Sequence, residues 1–282
     1  LYALSSGNFF WSVMNAIIGM MDSGVGGLTI LREVRKMLPV HPVLYLADQA
    51  HVPYGERSLE EVRGFAREIT RYLIAQGARL IVVACNTASV AALRMLRNEF
   101  PDTPFVGMEP AVKPAAEQTR SGVVGVLATH ATFQGEVYSS VVERFAAGVT
   151  LLQDHCPGLV ARIENGDLQG PETEAILRKA LIPMLEKGAD TIVLGCTHYP
   201  FVIPLIRRIT GPAVRVIDPA PAIARQTRRL LEESGLMAGK GESAALRMLT
   251  TGSAENLASV IPILLAETHA VESVTWQENR LV

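Results

Sequence analysis

Gly77-Ala78-Arg79-Leu80-Ile81-Val82-Val83-Ala84-Cys85-Asn86-Thr87 is echoed 111 residues later by Gly188-Ala189-Asp190-Thr191-Ile192-Val193-Leu194-Gly195-Cys196-Thr197-His198. Gly, Ala, Ile, Val and Cys coincide, five of the eleven positions. Each copy is a short apolar run with a cysteine just past its end, the pattern of a buried strand entering a turn. Two further segments recur in the same order. Val43-Leu44-Tyr45-Leu46-Ala47-Asp48 resembles Val149-Thr150-Leu151-Leu152-Gln153-Asp154, and a strand ending at Asp22-Ser23 has a counterpart ending at Thr129. Buried strands resemble one another, so one pairing carries little weight. Three in order, one with a cysteine held in place, indicate two related halves.

Outward from these segments, apolar runs at 16–21, 43–47, 80–84, 105–108, 123–127, 191–195 and 214–217 read as buried strands. Helix-like stretches at 59–76, 173–187 and 221–234 lie among them, the last opening on Pro221 and stopping at Gly235. Strands alternating with helices predict an α/β fold: two pseudo-symmetric α/β domains with mainly parallel sheets. Residues 14–109 plus 219–282 are assigned to the first domain, which carries Asp22 and Cys85. Residues 110–218 form the second, with Cys196 and His198. Crevices in open α/β sheets lie beyond the carboxyl ends of the strands. An active site in the cleft between the domains, with one cysteine from each, follows.

The 282 residues are 49% hydrophobic and 19% charged, enough to build a substantial core. A formal charge of −2 provides no basic field for nucleic acid or anionic membrane, leaving small molecules as the default partners. Three scattered cysteines make no disulfide framework and suit a reducing cytoplasm. The first basic residue is Arg32, so a secretory signal is not expected. The apolar stretch 9–21 is too short to span a bilayer and is broken by Ser12 and Asn15. Residues 1–13 precede a candidate start, Met14, and are read as an extension or tag outside the fold. A homo-oligomer is left open.

A thiol at a strand–helix junction meets exposed helix amides, which lower its pKa and favour bound anions. One such cysteine reads most simply as packing. Two in matching places, followed by Asn86-Thr87 and Thr197-His198, point to function. A hydrolase would set one cysteine against one base asymmetrically. Cys196-x-His198 without a second Cys/His pair is a weak zinc signal, and a redox pair would need disulfide distance. Inversion at carbon needs one base on each face, which two thiols from two related halves supply.

Asp22-Ser23-Gly24-Val25-Gly26-Gly27 is not a dinucleotide loop, because Thr29 stands where the last glycine belongs, and it has no P-loop lysine. Its glycines are expected to admit backbone close to a small ligand, with Asp22 handling a proton or merely capping a turn. The turn Pro53-Tyr54-Gly55 could hold a carboxylate through its N–H groups and the tyrosine hydroxyl. Thr129 and Thr132 read as helix caps or substrate donors. Cys156 has no counterpart in the first half and reads as structural.

The stretches D-S-G-V-G-G-L (22–28), V-P-Y-G (52–55), V-V-A-C-N-T-A-S (82–89), E-P-A-V (109–112), C-P (156–157), L-G-C-T-H-Y-P (194–200) and T-T-G (250–252) run in order over nearly the whole chain from Met14. Together they resemble the glutamate racemases of bacterial cell-wall synthesis. The related aspartate racemases usually carry histidine after C-N-T-A and glutamate after the second C-T, so Ser89 and His198 favour glutamate. The resemblance implies interconversion of L- and D-glutamate, supplying D-glutamate for peptidoglycan. It implies no metal and no pyridoxal phosphate or other cofactor. Cys85 and Cys196 become the acid/base thiols, Asp22 assisting the first and His198 the second, with Glu164 supporting the histidine. Asp22, Ser23, Pro53, Tyr54, Gly55, Asn86, Thr87, Thr129, Thr132, Thr197 and His198 match substrate-contacting positions. Departures from the family pattern, which put local substrate contacts in doubt, are Gln49, Gly135 and Asp218-Pro219. Racemisation of aspartate or another amino acid is the alternative reaction. A regulatory role is the alternative of another kind, since some glutamate racemases inhibit DNA gyrase. Some members respond to a cell-wall precursor nucleotide, and 1–13 has no clear likeness to the extension they carry.

Overall fold

The two copies of the glycine-to-cysteine segment become inner strands of two separate sheets. The computed structural model describes residues 16–109, 111–239 and 245–282. The expected extension 1–13 lies outside them, as do Met14 and Pro110 of the E-P-A-V stretch. The strands are β1 (Ile17–Asp22), β2 (Val43–Ala47), β3 (Ala78–Val83), β4 (Phe105–Val106), β5 (Val123–Ala128), β6 (Thr150–Asp154), β7 (Thr191–Gly195), β8 (Arg215–Ile217), β9 (Leu246–Thr250) and β10 (Val271–Ser273). One sheet has the order β10-β9-β2-β1-β3-β4 and the other β6-β5-β7-β8. All pairings within both are parallel. A short antiparallel hairpin, Trp276–Gln277 with Arg280–Leu281, follows β10.

The duplication is visible in strand register. In the first sheet Ile81 pairs with Phe105 and Val82 with Val106; in the second Ile192 pairs with Val216 and Val193 with Ile217. Each partner has moved by the same 111 residues that separate the cysteines. Gly19 of β1 sits beside Ile81, and Gly125 of β5 beside Ile192. A Cβ at Gly19 would come within 2.8 Å of Ile81 Cδ1, and one at Gly125 within 2.6 Å of Ile192 Cδ1. Both central strands are therefore notched for the same isoleucine. The expected match of residues 43–48 with 149–154 is offset by two. Leu44 faces Gly19 and Leu152 faces Gly125, so the counterpart of Leu44 is Leu152 rather than Thr150. A two-residue slip keeps every side chain on its original face, which is why the sequences still looked alike.

Local signals set the helices. Ser58 and Glu61 form a reciprocal capping box at the start of Leu59–Ala75. Pro171 opens Pro171–Glu186, and Ala220–Glu233 carries a proline in its first turn. Strands β9 and β10 were not foreseen. Arg247 breaks the apolar run of β9, and its guanidinium bonds Glu272 of β10 at 2.7 Å. One apolar core joins residues of both halves, including Val25 and Leu28 with Leu159, Ile163 and Tyr199, and each half has a further core of its own. Among the described residues no helix is long and apolar enough to cross a membrane.

The glycine notches differ in what a methyl group would strike. At Gly19 it would meet Ala78 Cβ at 2.9 Å, an atom fixed to the backbone; at Gly125 it would meet only the movable ends of Ile192 and Met184. Gly19→Ala should therefore lower stability by about 1–3 kcal/mol, and Gly125→Ala by less, read from urea unfolding midpoints.

Candidate active site

Strands β1, β3, β5 and β7 deliver their carboxyl ends to one place. Beyond β1, Asp22 is fully buried, and its Oδ2 accepts the N–H groups of Gly27 at 2.8 Å and Gly24 at 3.2 Å. Its Oδ1 accepts the Thr197 hydroxyl at 3.4 Å. Burial pushes the Asp22 carboxyl above its ordinary range, and the charge of His198 offsets part of that rise. The glycines of this turn were expected to approach a ligand; instead Gly24 and Gly26 approach the other half of the chain, and Gly27 approaches Asp22 and Tyr45. A Cβ at Gly24 would collide with the Glu164 carboxylate, and one at Gly26 with His198 Nδ1. Only Ser23 of this turn reaches the cavity.

Beyond β3, Cys85 caps the helix Asn86–Glu99, its Sγ accepting the Ala88 N–H at 3.5 Å. Helix amides were expected to depress this thiol. Burial outweighs them: together with the charge of Asp22 it holds Cys85 well above the ordinary thiol range, and the Ala88 amide offsets only part. Next to it, both amide atoms of Asn86 are buried and lack a hydrogen-bond partner, while the residue lines the cavity. Buried amides are normally paired, and this one has its hydrogen-bonding capacity unused beside the cavity. Thr87 Oγ1 lies 2.9 Å from Thr129 Oγ1, which lies 2.9 Å from Thr132 Oγ1. Thr129 caps the turn His130–Phe133, as the cap reading required, and also lines the cavity. Thr132 sits fully buried behind it.

Beyond β7 the surroundings change. No helix begins at Cys196. A short 3-10 turn, Tyr199–Val202, intervenes before the helix Ile203–Thr210. Where Cys85 has amides, Cys196 has His198, whose Nδ1 lies 3.8 Å from Sγ. The other ring nitrogen, Nε2, lies 2.6 Å from Glu164 Oε1. Burial alone would lower the His198 pKa, but hydrogen bonds to Cys196 and Glu164, with their charges, hold it well above the ordinary histidine value. Burial likewise would raise Glu164, yet hydrogen bonding from His198 and its charge keep this carboxyl below its usual range. The Val25 N–H at 2.7 Å and Gln49 Nε2 at 2.9 Å complete the carboxylate.

A small cavity of about 20 Å³ lies between these groups, lined by both Cys85 and Cys196. Ser23, Pro53, Tyr54, Gly55, Asn86, Thr87, Thr129, Thr197 and His198 also line it. All were expected from the sequence. Asp22, Glu164 and Thr132 stand behind the wall rather than in it. The Tyr54 hydroxyl is not offered to the cavity, because it donates to Asp48 Oδ2 at 2.6 Å. Asp48 is fully buried and also accepts the Thr251 hydroxyl at 2.7 Å and Trp276 Nε1 at 2.8 Å, anchoring the turn that carries Pro53-Tyr54-Gly55. Val160 lines the cavity and was missed, since a lone valine in Leu159–Glu164 carries no chemical signal. Cys156 is buried in the core that joins the two halves and does not line the cavity. Among the departures from the family pattern, Gln49, Gly135 and Asp218-Pro219 all lie outside the lining. Gly135 makes room for Val90, and Asp218 accepts the Ala220 N–H at 2.9 Å.

Known proteins resemble this chain over most of its length. Residues 18–227 match the Asp/Glu/Hydantoin racemase family. The glutamate racemase of Roseiflexus sp. (strain RS-1) is 54% identical over 245 residues, 86% of this chain and 90% of that protein. The crystal structure of Escherichia coli glutamate racemase in complex with L-glutamate and activator UDP-MurNAc-ala is similar at a TM-score of 0.82 and 32% identity, covering 95% of this chain and 99% of that one. The glutamate racemase of Francisella tularensis subsp. tularensis SCHU S4, in complex with D-glutamate, is similar at a TM-score of 0.80 and 29% identity, over 93% of this chain and 98% of that one. A match running from the first strand into the helix after the last strand of the smaller sheet, with a relative more than half identical along nine tenths of its own length, settles the kinship: this chain belongs to the Asp/Glu/Hydantoin racemase family.

Proposed function

We propose that this chain is a glutamate racemase, interconverting L- and D-glutamate by two-thiol acid/base chemistry in the cavity shared by its two sheets. The observation that carries the reading is the presence of Cys85 and Cys196, from equivalent strand ends of the duplicated halves, in the wall of one small cavity. One thiolate removes the α-proton and the opposite thiol delivers a proton to the other face. One C–H bond breaks and one forms, with no net oxidation. Asn86 and Thr87 are the donors for the charge that develops on the substrate, joined by Thr197 if its hydroxyl turns from its long 3.4 Å bond to Asp22. Burial favours the neutral thiol of Cys85, with Asp22 as the adjacent carboxyl that exchanges a proton with it, and His198 is the group that exchanges a proton with Cys196.

Glutamate as substrate is supported by the relatives' names and by the glutamate-bound neighbours. We assign residues 14–109 with 219–282 to one domain and 110–218 to the other, a division supported by the membership of the two sheets. A cytoplasmic enzyme supplying D-glutamate to peptidoglycan synthesis follows from the family, and a homo-oligomer is compatible with this reading.

Three outcomes test it. Purified protein with no added cofactor should racemise D-glutamate and discriminate strongly against D-aspartate; equal turnover of both would reassign the substrate. Replacing Cys85 or Cys196 by Ala should cut racemisation by roughly 100-fold or more with the fold retained by circular dichroism, whereas Cys156→Ala should stay active. Equal losses from all three would reduce the pair to packing. In heavy water, L-glutamate formed from D-glutamate should carry solvent deuterium at the α-carbon, and unreacted D-glutamate should gain label more slowly than product forms. Early product that keeps the original hydrogen would rule out a base on each face.

A further inference from the structure

Gln49 is the residue at which the sequence departs from the family pattern beside a site turn, and it does not line the cavity. Its side chain crosses from one half of the molecule to the other. Nε2 donates to Glu164 Oε2 at 2.9 Å, and Oε1 accepts the Thr250 hydroxyl at 2.9 Å. The carboxylate can only accept, so the amide must turn its NH2 group toward Glu164. Thr250 is held in turn by the Gly252 N–H at 3.0 Å, and a Cβ at Gly252 would come within 2.9 Å of Gln49 Cβ. The T-T-G stretch therefore seats Gln49. Glu164 Oε1 already has Val25 N–H and His198 Nε2, so Gln49 is the side chain that fixes the second oxygen.

We propose that Gln49 is a positioning residue for racemisation: by fixing Glu164 Oε2 it holds the carboxylate that orients His198, and it thereby governs proton exchange at Cys196 and not at Cys85. This rests on the two-thiol reading above. A line of hydrogen-bonding groups runs Thr250, Gln49, Glu164, His198, Cys196, and it bypasses Cys85, whose contacts come from Ala88 and the Asp22 side. Without the amide donor the carboxylate can rotate about its remaining contacts, and the imidazole loses its fixed angle to the sulfur.

Gln49→Leu keeps the bulk of the side chain and removes both hydrogen bonds. Its kcat/KM for glutamate should fall roughly ten-fold, carried by kcat with KM little changed. The sharper readout is the primary isotope effect on kcat/KM with α-deuterated D- and L-glutamate. For the enantiomer deprotonated by Cys196 the effect should rise, because that step becomes more limiting; for the other it should fall, because reprotonation from Cys196 does. Thr250→Val, which removes the support of Gln49 together with the Gly252 N–H bond while leaving the Gln49–Glu164 bond in place, should move both effects in the same directions by less, and it stands in if Gln49→Leu does not fold. Unchanged kcat/KM, or isotope effects that shift alike for both enantiomers, would overturn the proposal. If Cys196→Ala is inactive while Gln49→Leu behaves as wild type, the positioning role fails and the two-thiol reading stands. A fully active Cys196→Ala would remove that reading and this one with it.

Discussion

The architecture turns on one buried ion-paired cluster at the boundary of the two sheets. Glu164 and His198 come from the second half, and the first half supplies Val25 N–H and Gln49 to the same carboxylate. A carboxylate taken out of water costs several kcal/mol unless its oxygens are paired and hydrogen-bonded. Neither half can meet that requirement alone, so the pair is stable only when the halves are docked. Docking in turn demands glycine at 24 and 26, where any side chain would strike Glu164 or His198. The glycine turn, the histidine and the glutamate thus form one steric and electrostatic unit, and the cavity lies at its edge.

Duplication supplied the frame and then departed from symmetry around the two cysteines. The strand registers match across the halves, and both central strands carry the same glycine notch. Yet Cys85 sits on a helix start with a buried aspartate nearby, and Cys196 ahead of a 3-10 turn with an imidazole 3.8 Å away. The two thiols line one cavity beside different titratable groups. Burial raises the pKa of one thiol; the other sits against a histidine whose pKa its hydrogen-bonded neighbours raise. The proposed two-thiol chemistry does not require the halves to be chemical copies.

Asp48 has a comparable organising part away from the thiols. It collects Tyr54, Thr251 and Trp276, and the His51 ring as well at 2.9 Å. The carboxyl-terminal hairpin is thereby fastened to the turn that walls the cavity. The last segment of the chain supports the site without entering it.

What the sequence by itself determined was local and repetitive. Buried strands announce themselves as apolar runs, and a cysteine at the same offset past two of them survives any uncertainty in boundaries, so the α/β class, the two halves and the two cysteines were legible; the other cavity residues, Val160 apart, came from the family resemblance. Period-two alternation hid the two-residue slip of β6, and Arg247 concealed β9, because an edge-side charge breaks the apolar run without breaking the strand. Tertiary structure alone decided the long-range partners. Nothing near Gln49 signals that its amide meets Glu164, 115 residues away, or that Tyr54 spends its hydroxyl on Asp48. The thiol environment was likewise a global property. Helix amides adjoining Cys85 are written in the local sequence and would lower its pKa, but the desolvation that outweighs them comes from everything packed around it.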